Sequence, residues 1–367
     1  MKSSHQWVGC GAVMLAIVLS GWAAETPKAP AADGTSEWKN KALLRIPRLG
    51  TPPFVDGRID EAEWGKAARW TNFLITKNGA FAQEQTVLWL GYDDRQLYLA
   101  FRMQAFPLNP ASNQGDAFLA KIPKAEKDKD VWSDDSVEFR LESVTAAPRV
   151  NYYLAFNANG ALLDMALKGD WDRGWDSGAR VETRKDDKGF WEVEVSIPFS
   201  ALNARPEDGA LWRFSCTRFE QRLKEVSSWT CLADGDHTNP ENMGLFVFGG
   251  ACPAARMQAF AEADFAKRTV PCAAVSAQTG TLSWESRLVS NGTPLARQQG
   301  SVALTTGETA FAVACPSTKA GGTGSAAFAF QLSDPRHGAL LESPAYPFSQ
   351  GGGMARFRLR AADTDTA

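Results

Sequence analysis

Ser136-Val137-Glu138-Phe139-Arg140-Leu141-Glu142 alternates apolar and charged side chains one by one. Successive side chains on an extended chain point to opposite faces, so this spacing sends Val137, Phe139 and Leu141 into a core and Glu138, Arg140 and Glu142 to an exposed face. Runs of the same kind follow at Thr86 to Tyr92, Gln96 to Met103, Val150 to Phe156, Ala179 to Arg184, Phe190 to Ile197 and Leu211 to Phe219. Turn chemistry separates them at Asp93-Asp94, Asn159-Gly160, Asp186-Asp187-Lys188-Gly189 and Asp208-Gly209. Many strands joined by short turns, with hardly any helix, predict an all-β, jelly-roll-like antiparallel sandwich over residues 45–250. One short helix is expected over Asp60 to Ala68, with Trp64 packed inward. Trp89, Trp191 and Trp212 also fall in apolar phase and are expected in the core.

Outward from this block the composition changes. After Gly249-Gly250 aromatic residues thin out and Ala, Thr, Ser and Gly increase, which places a boundary near residue 255. Thr281 to Val289, Gly300 to Leu304, Ala310 to Ala314 and Ala326 to Leu332 read as strands of a second, smaller, Ig-like β-sandwich over 255–349. Residues 350–367 read as a tail in which Ala355 to Leu359 is a candidate terminal strand. On the other side, Lys2, the apolar stretch Val8 to Leu19 and the small residues Ser20 to Ala24 read as a Sec signal peptide over 1–24. Its apolar part is shorter than the roughly 18 to 20 residues of a membrane-spanning helix. Residues 25–44, with Pro27, Pro30 and Gly34, suit a flexible tether. A secreted or periplasmic location follows as the expectation.

The chain has 367 residues, 44% of them apolar and 22% charged, which suits folded domains. A net charge of -3 with both signs interleaved offers no basic field for nucleic acid or anionic lipid. Export permits disulfides, and Cys216 with Cys231 across a hairpin, or Cys252 with Cys272 near the boundary, are the candidate pairs. Three histidines and no C-x-x-C spacing give no zinc signature.

Four stretches, in this order, resemble the family 9 carbohydrate-binding modules. They are Asp56-Gly57-Arg58-Ile59-Asp60-Glu61-Ala62-Glu63-Trp64, Tyr92-Asp93-Asp94-Arg95-Gln96-Leu97-Tyr98, Trp132-Ser133-Asp134-Asp135-Ser136-Val137-Glu138-Phe139 and Gly189-Phe190-Trp191-Glu192-Val193-Glu194-Val195-Ser196-Ile197-Pro198. The resemblance covers about 200 residues and implies a sandwich that clamps a sugar between aromatic rings. Trp132 matches one clamp tryptophan, and Glu138 matches a carboxylate that accepts sugar hydroxyls. The second clamp position falls on or near His237 and a family arginine on Tyr152 or Tyr153, so Tyr152, Asn157 and His237 are expected to complete the rim. Structural calcium is a further implication of the family, but its ligands have no match here.

A pyranose has an apolar face that stacks on an indole and hydroxyls that need polar partners. Trp171 and Trp175, in the polar loop Gly169-Asp170-Trp171-Asp172-Arg173-Gly174-Trp175-Asp176, are candidates for that stacking, with bracing of the loop as the rival role. No catalytic residues are expected. Asp134 and Asp135 are adjacent on an extended chain and point apart, which suits turn capping or calcium binding rather than the paired carboxylates of a glycoside hydrolase. Asp170 and Asp172 read as a solvated loop, and no Gly-x-Ser-x-Gly elbow or Ser, His, Asp trio is present. The leading expectation is an exported accessory protein of polysaccharide recognition or breakdown. The rival is a cell-envelope assembly protein that has lost sugar binding, and a glycoside hydrolase comes third.

Overall fold

The computed structural model describes residues 41–105, 118–186, 188–230, 236–259, 269–290, 293–316 and 326–348. The signal peptide, the tether, Cys231, the tail and the strand expected at Ala355 to Leu359 lie outside the described residues.

The described chain is an all-β sandwich of two sheets. Along its main path the larger sheet runs, in space, Thr293–Leu304, Gly280–Ser290, Ala326–Asp334, Gly338–Glu342, Leu43–Ile46, Gly244–Phe248, Leu211–Glu220, Ser136–Ser143, Asn151–Asn157, Leu162–Lys168 and Asp170–Asp172. The smaller runs Arg180–Lys185, Phe190–Pro198, Gln96–Gln104, Thr86–Tyr92, Ala68–Trp70, Ala254–Met257, Thr269–Ser276 and Gly307–Ala314. The strands that follow residue 255 contribute to both layers. Leu43–Ile46 pairs parallel with Gly244–Phe248 and antiparallel with Gly338–Glu342, so the larger sheet continues from one part into the other. Ala254–Met257 does the same in the smaller sheet, beside Ala68–Trp70 and Thr269–Ser276.

Between the sheets lies one aromatic-rich core, in which Phe101, Phe139, Phe156, Phe214, Phe246 and Phe248 meet Trp191 and Trp212. Trp64, Trp89, Trp191 and Trp212 are all buried. Val137, Phe139 and Leu141 point inward and Glu138 and Arg140 outward, as their alternation requires.

The helix is shorter than expected, spanning only Glu61–Trp64. Asp60 caps it by accepting the Ala62 N–H at 2.7 Å, and the chain then leaves for the Ala68–Trp70 strand, whose sheet hydrogen bonds replace further helical turns. Among the described residues no helix is long and apolar enough to cross a membrane.

The disulfide expectation is corrected. Cys216, Cys252 and Cys272 are free and buried. Ala254 pairs with Val275 and Met257 with Cys272, so continuing that register puts Cys252 opposite position 277, roughly 17 Å along the strand from Cys272 and beyond disulfide reach. Cys216 faces the core on the central Leu211–Glu220 strand.

Candidate functional site

Strand register builds a cleft on the face of the larger sheet turned away from the core. Across neighbouring strands Thr217 stands beside Glu138 and Ala155, Ser215 beside Arg140, Tyr153 and Met165, and Arg213 beside Glu142, Asn151, Leu167 and Trp171. Side chains opposite one another on one face lie close enough to form a continuous surface. One wall comes from Trp132 and the other from Trp171, at 38% and 43% exposure two of the few large apolar side chains left open to solvent. Glu138, Arg140, Tyr153, Met165, Thr217, Phe219, Val226, His237 and Thr238 line a hollow of about 470 Å³ between them.

Buried carboxylates hold Trp132 in place. The turn Val131–Ser133 carries it, anchored by buried Val131. Asp134 accepts the Ile122 N–H at 3.1 Å and the Asn157 amide at 2.8 Å, while Asp135 accepts the backbone N–H groups of Leu119 and Gln221. Both adjacent residues thus tie the turn to the 119–122 segment, and separately to Asn157 and Gln221, which is the turn-capping one of the two roles expected of them.

Charge in the cleft is organised around Glu138. His237 Nε2 lies 3.7 Å from its carboxylate, and Tyr153 hydrogen-bonds to it. Burial, reinforced by Glu138, pushes the Tyr153 phenol far above its ordinary range, so it remains a neutral donor. The Arg140 guanidinium lies 5.0 Å from the centre of the Tyr153 ring and 5.4 Å from that of Trp171, and that of Arg173 lies 5.9 Å from Trp132. Burial lowers the Arg140 pKa from its usual value, opposed by Tyr153, Glu138 and Asp236.

Of the residues singled out in the sequence, the structure brings Trp132, Glu138, His237 and Trp171 together. Tyr152, Asn157 and Trp175 are corrected out of the rim. Tyr152 falls on the core face, donating its hydroxyl to the Leu202 carbonyl at 3.0 Å, and its neighbour Tyr153 takes the cleft position because side chains alternate. Trp175 packs on Tyr152 with ring centres 5.0 Å apart and donates to the Ala201 carbonyl, so it braces the loop. Asn157 is fully buried and spends its amide on Ile122 and Asp134. Tyr153 is the alternative to Tyr152 for the family arginine position, while Arg140, Met165, Thr217, Phe219, Val226 and Thr238 join the cleft without having been singled out. The phase of Glu138 extends to Arg140, and that of Leu211 to Phe219 marks Thr217 as off the apolar set, but only register shows that these strands adjoin.

The family resemblance implies a structural calcium, whose ligands have no match in the sequence. Among the described residues no group of three or more His, Cys, Asp or Glu is placed to hold a metal ion. Buried Asp164 instead has the Lys127 ammonium 3.7 Å away and accepts the Ser177 backbone N–H at 2.8 Å.

No protein-family model matches the chain, and no curated protein does. Solved family 9 carbohydrate-binding modules resemble it in structure. One from Caldicellulosiruptor kristjanssonii, in complex with glucose, is 18% identical, covers 57% of this chain and 97% of its own, and has a TM-score of 0.39. The complex of such a module from that organism with cellotriose gives 18% identity and a TM-score of 0.39 as well. A protein of Bacteroides uniformis is 14% identical, covers 56% of this chain and 97% of its own, and has a TM-score of 0.42.

Proposed function

We propose that this chain is an exported carbohydrate-binding protein that takes a sugar in the cleft between Trp132 and Trp171. The observation that carries the reading is the cleft itself, in which two solvent-exposed indoles flank a floor of Glu138, Arg140, Tyr153 and His237. Stacking serves the C–H face of a pyranose, and Glu138 accepts its hydroxyls, a division of labour that suits a ligand both apolar and hydroxylated. Export follows from the amino-terminal Lys2, Val8 to Leu19 and Ser20 to Ala24 pattern. The role in view is accessory to polysaccharide recognition or breakdown.

Isothermal titration of the protein with cello-, xylo- and manno-oligosaccharides, beside Trp132→Ala, tests the sugar reading. One class is expected to bind, and the variant to bind about tenfold or more weakly, since an indole stack contributes about 1 kcal/mol beyond its area burial. No heat with any sugar from folded protein would overturn the reading in favour of an envelope assembly role. Mass determination of the exported chain, expected to begin near residue 24, tests the signal peptide.

A further inference from the structure

The cleft does not end at Trp171. Arg140, Trp171 and Thr238 also line a second hollow of about 570 Å³, shared with Glu142, Arg149, Asn151, Leu167, Gly169 and Pro240. The two hollows adjoin through these three shared residues, with Arg140 at the seam.

The second hollow is chemically different from the first. Its one carboxylate, Glu142, is engaged by Arg213 at 2.8 Å. Arg149, by contrast, has no hydrogen bond or ion pair among the described residues. Arg140 has its guanidinium plane set by Tyr153 and Trp171 and donates no hydrogen bond to a carboxylate of the described residues, Glu138 and Asp236 acting on it only through their charge. A stacked guanidinium keeps its in-plane N–H donors free, and a half-buried cation without an acceptor favours an anion placed against it. Asn151 supplies the complement. It is buried at 5% exposure, and its side-chain oxygen has no donor among the described residues. An acceptor of this kind, beside two cations, matches a ligand that carries both a hydroxyl and a negative charge.

We propose that this second hollow selects an acidic sugar, with its carboxylate or sulfate on Arg140 and Arg149 and a hydroxyl on Asn151. The proposal rests on the sugar-binding reading of the Trp132 cleft and narrows its ligand class. The net charge of -3 means that the preference is local to the hollow and owes nothing to a basic surface.

The test compares matched ligands by titration of the full exported chain at low salt: oligogalacturonides, the same oligosaccharides as methyl esters, sulfated oligosaccharides and neutral xylo-oligosaccharides. The acid is expected to bind about tenfold more tightly than its ester, with the gap narrowing as salt is added. In Arg149→Gln the ratio of acid to ester affinity is expected to fall toward one. Preference for the sulfated over the carboxylated ligand would assign the anion as sulfate, and the reverse as uronate; either supports the proposal. Neutral sugars and esters binding as well as the acids, or an Arg149→Gln protein that keeps the full preference, would overturn the acidic-sugar proposal and leave the Trp132 reading standing. Binding of no sugar of either kind would overturn both.

Discussion

Replacing Glu194 by glutamine takes one acceptor away from a carboxylate that serves three donors. Glu194 is fully buried and accepts the backbone N–H groups of Asp56 and Gly57, both at 2.8 Å on Oε2, and the Trp64 indole N–H at 2.6 Å on Oε1. Two stretches that the sequence marks as similar to family 9 modules, Asp56 to Trp64 and Gly189 to Pro198, therefore meet at this side chain. In Glu194→Gln the amide oxygen can keep Asp56 and Gly57, which turns the amide N–H toward the Trp64 donor. A charge-assisted bond is lost and two buried donors face each other, which costs about 2–3 kcal/mol. That is about 4–6 °C in melting temperature for a domain of this size. Urea unfolding followed by tryptophan fluorescence measures the loss, and a double-mutant cycle with Trp64→Phe isolates the contact. The two substitutions are expected to be non-additive by about 1 kcal/mol or more, because removing the indole donor relieves the clash. Burial raises the Glu194 pKa, against the lowering effect of its three donors, so the native state holds this proton more tightly than the unfolded chain. Stability from this group is therefore fully present below the unfolded carboxylate pKa and declines as pH rises through the raised native value. Additive substitutions, or a penalty below about 0.5 kcal/mol, would refute the reasoning.

Arg218 is buried in the core and donates to the carbonyls of Glu84, Gln85 and Gln104 at 3.0, 3.4 and 2.8 Å, linking the two sheets. Arg218→Ala leaves these carbonyls and Glu84 without it and is expected to lower unfolding free energy by about 3–5 kcal/mol in urea titration, with a loss under 1 kcal/mol counting against the role. Burial pushes the Cys252 thiol up to about 12 and those of Cys216 and Cys272 up as well. These thiols are expected to resist a thiol-specific reagent in native protein and to react in guanidinium, and fast labelling of Cys252 or Cys272 in the native state would contradict their burial.

Most of the fold was legible because period-two alternation is a local property. A strand that buries one face must write that face into every second residue, and Val137, Phe139, Leu141 and their counterparts do so. Where two elements compete for the same residues the local signal fails. Asp60 to Ala68 has the composition of a longer helix, yet sheet bonding at Ala68–Trp70 ends it after Trp64. Tyr152 and Tyr153 show the same limit at the site, since two adjacent tyrosines carry no mark of which one faces the core, and packing against Leu202 and Trp175 decides it.

The amino-acid sequence by itself determined the all-β class, the core tryptophans and the candidates Trp132, Glu138, Trp171 and His237. Each follows from side-chain phase, or from family resemblance within a short stretch. Tertiary structure alone decided that Arg140, Tyr153, Thr217 and Asn151 share their face, that Cys252 and Cys272 lie apart, and that the strands after residue 255 continue both sheets. Those are matters of register and strand order, set by long-range hydrogen bonding and core packing between segments far apart in sequence, and no local pattern encodes them.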